Sequence, residues 1–143
     1  MTITETQDAI VEDFADFTEW EDKYAHIIAL GRKLVPFPEE HRTDDNKIRG
    51  CQSQVWLHAA LKDGYVVFEG DSDAAIVKGL VSLALEVYSG RTPQEILQTE
   101  PDFMKKIGLD THLSPTRTNG FASMIQKIKM YALGFSMIMK QQA

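Results

Sequence analysis

Apolar side chains recur every three to four positions at the start of the chain: Ile10, Val11, Phe14 and Phe17, then Trp20, Tyr24, Ile27, Ile28 and Leu34. This is the period of a helix with one face against a core, and it predicts two consecutive helices. The stretch PFPEEHRTDDN breaks the period, because Pro36 and Pro38 cannot continue a helix and the polar residues after them offer no apolar face. It reads as a loop. From Gln54 to Glu69 the period falls to two. QVWLHAAL, KDG and YVVFE alternate so that Val55, Leu57, Ala59 and Leu61 share one side of a strand, and a hairpin turns at Asp63 and Gly64. NKI, ahead of these, predicts a short third strand.

Helical spacing returns in GDSDAAIVKGLVSLALEVYSG, with a stripe at Ile76, Leu80, Leu83 and Val87, capping candidates at Asp71, Ser72 and Asp73, and a stop at Gly90. TPQE then places Thr92 as N-cap, Pro93 at the first helical position and Glu95 where a capping box requires it, while Thr99 in TEPD opens a second short helix. LSPTRTNG leads into a long final helix striped by Phe121, Met124, Ile125, Ile128, Ala132 and Phe135. Strands grouped together and flanked by groups of helices, without strict alternation, indicate an α+β fold: a small three-stranded antiparallel sheet packed by helices. No repeat or Gly/Ser linker interrupts the 143 residues, so one domain over 1–143 is expected.

Charge narrows the function. A formal net charge of −6 opposes a broad surface for phosphate backbones or anionic membrane, so neither nucleic acid nor membrane is an expected partner. No apolar run approaches the ~20 residues of a membrane span, and the acidic MTITETQDAIVEDF does not resemble a secretory leader. Cytoplasmic localisation is the expectation, and a reducing compartment would keep the single cysteine free.

That cysteine, Cys51, stands in KIRGCQSQVWLHA. Lone thiols are more often small core hydrophobes than nucleophiles. The surroundings point the other way: Gly50 permits backbone angles closed to other residues, and Gln52, Ser53 and Gln54 hydrogen-bond rather than pack, as in a turn that presents a side chain. Reactivity needs thiolate, and Arg49 and Lys47 are either cations favouring it or solvated surface charges. A metal centre finds only His26, His41, His58 and His112 beside the thiol, with no characteristic spacing. His26 and His58 read as half-buried structural residues and His41 as exposed on the loop. A cysteine hydrolase or acyltransferase would need a base, for which His112 is the candidate. The residues alone describe an α+β domain with a presented thiol suited to sulfur or acyl transfer.

GCQSQVW from Gly50 to Trp56, GDSDAAIVKGL from Gly70 to Leu80 and HLSPTRTNGFASMI from His112 to Ile125, with WEDKYAHIIALGRKL ahead of them, together resemble the SufE family over essentially the whole chain. The resemblance implies a SufE/IscU-like fold and a sulfur carrier that binds no metal or cofactor itself. Cys51 would accept sulfane sulfur as a persulfide from a pyridoxal-phosphate (PLP)-dependent, SufS-like cysteine desulfurase, the PLP belonging to that partner. It would stimulate the desulfurase and deliver the sulfur to a SufBCD-like scaffold of the SUF system for iron-sulfur cluster assembly. A CsdE-like acceptor serving another desulfurase is the neighbouring alternative. One thiol suffices for such a carrier, since a second would expel the sulfur as a disulfide.

The same resemblance assigns supporting roles. Gly50 is the candidate hinge of the cysteine loop, and Gln52 and Ser53 would bond that loop at rest. Arg117, in SPTR, would approach it to hold carbonyls or favour thiolate, with a structural ion pair as the plainer role. Asp73 would shape the partner-docking edge or cap a helix, and Trp56 reads as core. A monomer or weak homodimer is expected.

Overall fold

The computed structural model describes residues 1–50 and 52–142. The two early helices form as their periodicity requires: α1 (Ile3–Ala15) and α2 (Trp20–Arg32). α1 opens with a capping box in which Glu5 N–H donates to Thr2 Oγ1 (3.0 Å) and Thr2 N–H to Glu5 Oε1 (2.8 Å). The proline-interrupted stretch runs as a strap with two single 3₁₀ turns, Glu39–His41 and Asp44–Asn46. The hairpin follows as β1 (Val55–Lys62) and β2 (Tyr65–Ser72), antiparallel, with Leu57 opposite Gly70 and His58 opposite Glu69. Its two-residue turn has positive φ at both Asp63 (53°) and Gly64 (86°), the condition for a type I′ turn.

Of the three strands expected, two are present among the described residues. NKI contributes one bridge, Lys47 to Trp56, and a hydrogen bond from Ile48 N–H to Val55 O (2.8 Å). At Gly50, φ of +86° lies outside the extended region, so pairing ends before a strand is established. The remaining sheet has only two strands and depends on helices for its stability.

Those helices are α3 (Ala75–Tyr88), the short α4 (Pro93–Gln98), α5 (Phe103–Ile107) and α6 (Leu109–His112), and the long α7 (Pro115–Gln142). The capping box at Thr92, Pro93 and Glu95 is present as expected. The start of α3 differs. Ala74 is the N-cap without a side-chain cap, Ser72 Oγ accepts from Ala74 N–H (3.2 Å), and Asp71 and Asp73 are engaged elsewhere. The start expected at Thr99 is displaced to Asp102, and the chain adds α6 after Gly108 turns it at φ +93°.

One connected apolar core joins α1, the inner face of the hairpin, α3 and α7 through Phe14, Leu57, Phe68, Leu83 and Ile128. Its tightest point is the crossing of α2 and α3, where a Cβ on Gly79 would lie 2.1 Å from Ile27 O and one on Gly31 2.7 Å from Gly79 N. Two glycines therefore set the separation of these helices, which holds α3 against β2. Among the described residues no helix is long and apolar enough to cross a membrane.

Candidate functional site

Cys51 lies outside the described residues; the residues on either side of it in the chain locate the site. Upstream, Gly50 is exposed, and a Cβ there would sit 3.4 Å from Ser123 Oγ on α7. Downstream, Gln52 and Ser53 line a cavity of about 220 Å³. Its apolar floor is supplied by Val77 and Leu80 of α3 and by Phe121 and Met124 of α7, and its rim by Ser114, Thr116 and Arg117 at the start of α7. Periodicity identifies Leu80, Phe121 and Met124 as members of helix stripes and passes over Val77, and a stripe residue facing a void gives the same signal as one facing the core.

The first turn of α7 is pinned by Ser114, whose Oγ accepts from Arg117 N–H (3.3 Å) and whose carbonyl accepts from Thr118 N–H (2.9 Å). This puts Arg117 on the cavity rim, as the resemblance implied, but the ion pair considered for it is absent among the described residues, and its guanidinium hydrogen-bonds to none of them. An exposed cation at a helix N-terminus makes this rim favourable to an anion. The side chains of Gln52 and Ser53 make no hydrogen bond with described residues either, and the next tie along the chain is at Gln54.

Asp73 does not cap α3. Its carboxylate accepts from Gln54 N–H (3.0 Å), and its own N–H donates to Gln54 O (3.2 Å). This reciprocal pair ties the downstream end of the loop to the junction of β2 and α3. Upstream, Arg42 donates to Asp71 Oδ2 (2.9 Å) and lies over the Trp56 ring (4.6 Å). Burial pushes the Asp71 carboxyl up, but the bonds from Arg42 and Ser72 and the charge of Lys78 outweigh it and hold it below the usual range. Lys47 also lies over Trp56 (5.9 Å), which accounts for one of the two cations near the thiol in sequence; Trp56 is buried as expected. Arg49 is exposed.

His112, the candidate base, does not line the cavity. Its ring stacks on Trp20 (centroids 3.7 Å apart, planes at 16°), and its Nδ1 lies 3.2 Å from Gly108 O. No His, Asp or Glu is among the described residues of the cavity wall, so those residues supply no general base for hydrolysis. The walls offer a lone cation, hydroxyls, an amide and an apolar floor.

A family model described as "SufE: Fe-S metabolism associated domain" matches residues 8–132. The chain belongs to the SufE family. Its relatives include an uncharacterised SufE-like protein of Rhizobium meliloti, 48% identical over 132 residues that span 89% of this chain and 94% of the relative. Another, from Synechocystis, is 41% identical over 128 residues, 90% of this chain and 80% of the relative. The solution structure of a hypothetical protein from Thermus thermophilus superposes with a TM-score of 0.75 at 21% identity, covering 90% of this chain and 94% of that one, a likeness of fold. Membership in the SufE family ties the chain to iron-sulfur metabolism.

Proposed function

We propose that the protein is a sulfur carrier that takes sulfane sulfur from a PLP-dependent cysteine desulfurase and passes it to a scaffold of the SUF type. Cys51 thiolate attacks the outer sulfur of the desulfurase persulfide. The new sulfur-sulfur bond forms on Cys51 as the old one breaks, the desulfurase cysteine leaves as thiolate, and the proton stays on the transferred sulfur. No net oxidation or reduction occurs. The rate follows thiolate fraction, leaving-group acidity and access, as in thiol-disulfide exchange.

The observation that carries this reading is that the chain's only thiol stands in sequence between Gly50 and the two residues lining the cavity that Arg117 overlooks. In this reading Arg117 and the start of α7 favour the anionic forms through which the sulfur passes, thiolate and persulfide. The apolar floor offers shelter from oxidants to a side chain that must not proceed to sulfinic acid. Gly50 provides the hinge, and Asp73, exposed at the edge of the loop, faces the desulfurase.

Incubation with a SufS-like desulfurase, its PLP and cysteine should add one sulfur atom to Cys51 by mass spectrometry, and Cys51→Ser should abolish the gain. Unaltered Cys51 mass, with desulfurase turnover unchanged by the carrier, would refute the proposal. The same assay run with a CsdE-type partner desulfurase separates the two carrier branches.

A further inference from the structure

Spacing along the chain shows no metal signature, but the fold assembles one away from the cysteine loop. His58 and Glu69 are cross-strand partners on the outer face of the hairpin, and the strap lays His41 over them. One ligand atom from each of His41, His58 and Glu69 lies within 4.8 Å of the others. Glu69 Oε1 is 3.3 Å from the Nδ1 of both histidines. His41, expected to be exposed, is half-buried, and its Nδ1 is shielded from solvent without a hydrogen-bonding partner among the described residues. A buried imidazole nitrogen 3.3 Å from a carboxylate oxygen it does not hydrogen-bond calls for an explanation.

We propose that His41, His58 and Glu69 bind a single divalent transition-metal ion of the zinc type. Ligand chemistry selects the class, because two imidazoles and one carboxylate suit zinc and its neighbours, whereas magnesium and calcium take oxygen donors. Geometry narrows it. Zinc bonds of about 2.0–2.1 Å place tetrahedral ligands about 3.3–3.4 Å apart, against about 3.0 Å for the edges of an octahedral triad. Two of the three ligand-atom separations are 3.3 Å and the third is within 4.8 Å, so the donors already stand near that spacing before the rings adjust. Side-chain exposures of 29%, 27% and 35% leave an entry path and an open fourth position.

The two rings stack at 3.6 Å with planes 19° apart, and His58 Nδ1 donates to Glu69 Oε1. Binding would displace that proton and splay the rings until both Nδ1 atoms point at the ion. The consequence is mechanical: His41 belongs to the strap and both other ligands to the hairpin, so the ion fastens the segment that runs into the cysteine loop. Cys51 takes no part.

Zinc titration of the full-length Cys51→Ser chain, which removes the competing thiol, should give one ion per chain by calorimetry. His41→Ala and His58→Ala should each weaken binding at least about tenfold. Because a histidine variant can also disturb the strap, imidazole nitrogen NMR on the chain with all four histidines intact provides a second measurement. Zinc should shift the Nδ1 resonances of His41 and His58 and leave those of His26 and His112 in place. No saturable binding, unchanged affinity in both variants, or shifts at His26 and His112 instead would overturn the proposal.

Discussion

The two sides of the cysteine segment are built in opposite ways. On the strap side the charges and amides are paired: Arg42 bonds Asp71 and Glu39 and lies over Trp56, Lys78 Nζ lies 3.3 Å from Asp71 Oδ1, Asn46 Nδ2 donates to His41 O (2.8 Å), and Tyr131 Oη donates to Asn46 Oδ1 (3.3 Å), while His41 Nδ1 has no hydrogen-bonding partner among the described residues. On the cavity side Arg117, Gln52 and Ser53 have no side-chain partner among the described residues. Dense pairing around a half-buried carboxylate holds a segment in one place, because removing any member strands the others. Unpaired groups around an apolar void contribute little to folding and are left for something that arrives. The contrast separates residues that hold the loop's ends from residues that await its chemistry.

Substitutions on the two sides should affect different measurements. The largest effect belongs to Arg117→Ala, which should slow persulfide transfer to Cys51 by roughly ten- to a hundredfold, the worth of one charge-assisted bond, with stability changed by less than about 0.5 kcal/mol. Arg117→Lys should recover part of the rate, since charge survives and the planar fork does not. Single-turnover sulfur transfer and urea denaturation together decide it; equal loss in both assays would erase the contrast.

Asp71→Asn should do the reverse. It strands Arg42 and Lys78 and should lower unfolding stability by about 1–3 kcal/mol while transfer falls less than in the Arg117 variant. Gly79→Ala tests the platform beneath both sides. A Cβ against Ile27 O must push α2 from α3, at a stability loss of about 1–3 kcal/mol visible as a lowered thermal midpoint. Thr92→Ala, remote from both regions, should cost about 1 kcal/mol through its capping box and leave transfer unchanged, which controls for general destabilisation.

The smallest effect is on pH dependence at that same cap. The backbone N–H of Thr92 holds the Glu95 carboxylate below its usual range, against a weaker upward push from burial. A depressed carboxylate contributes stability that is present above its unfolded pKa and lost as pH falls through the folded one. Glu95→Gln should therefore flatten the acid limb of a stability-against-pH curve slightly, measured by urea midpoints from neutral to acidic pH.

Much of this was legible in advance where one short segment carried the signal. Turn chemistry located the type I′ hairpin at Asp63 and Gly64, the capping box located α4, and the apolar stripes located α3 and α7. Each depends on residues within a turn or two of one another, so local backbone preference is enough. The same local reasoning offered Asp73 as a cap, because a carboxylate before a helix can equally bond an N–H distant in sequence, and here it bonds that of Gln54. It overextended the sheet at NKI for a similar reason: alternation cannot show that the chain turns away at Gly50.

What the chain itself determined is therefore the two early helices, the hairpin, α3, α4 and α7, and the single thiol with its glycine neighbour, since covalent order and short-range sterics need no partner. Tertiary structure alone decided what faces that segment. Arg117 reaches the cavity because α7 begins where it does against α3, and His41 meets His58 and Glu69 because Arg42 draws the strap onto the hairpin. Such meetings depend on how separately formed pieces pack, and packing responds to the shape of the whole core rather than to spacing along the sequence.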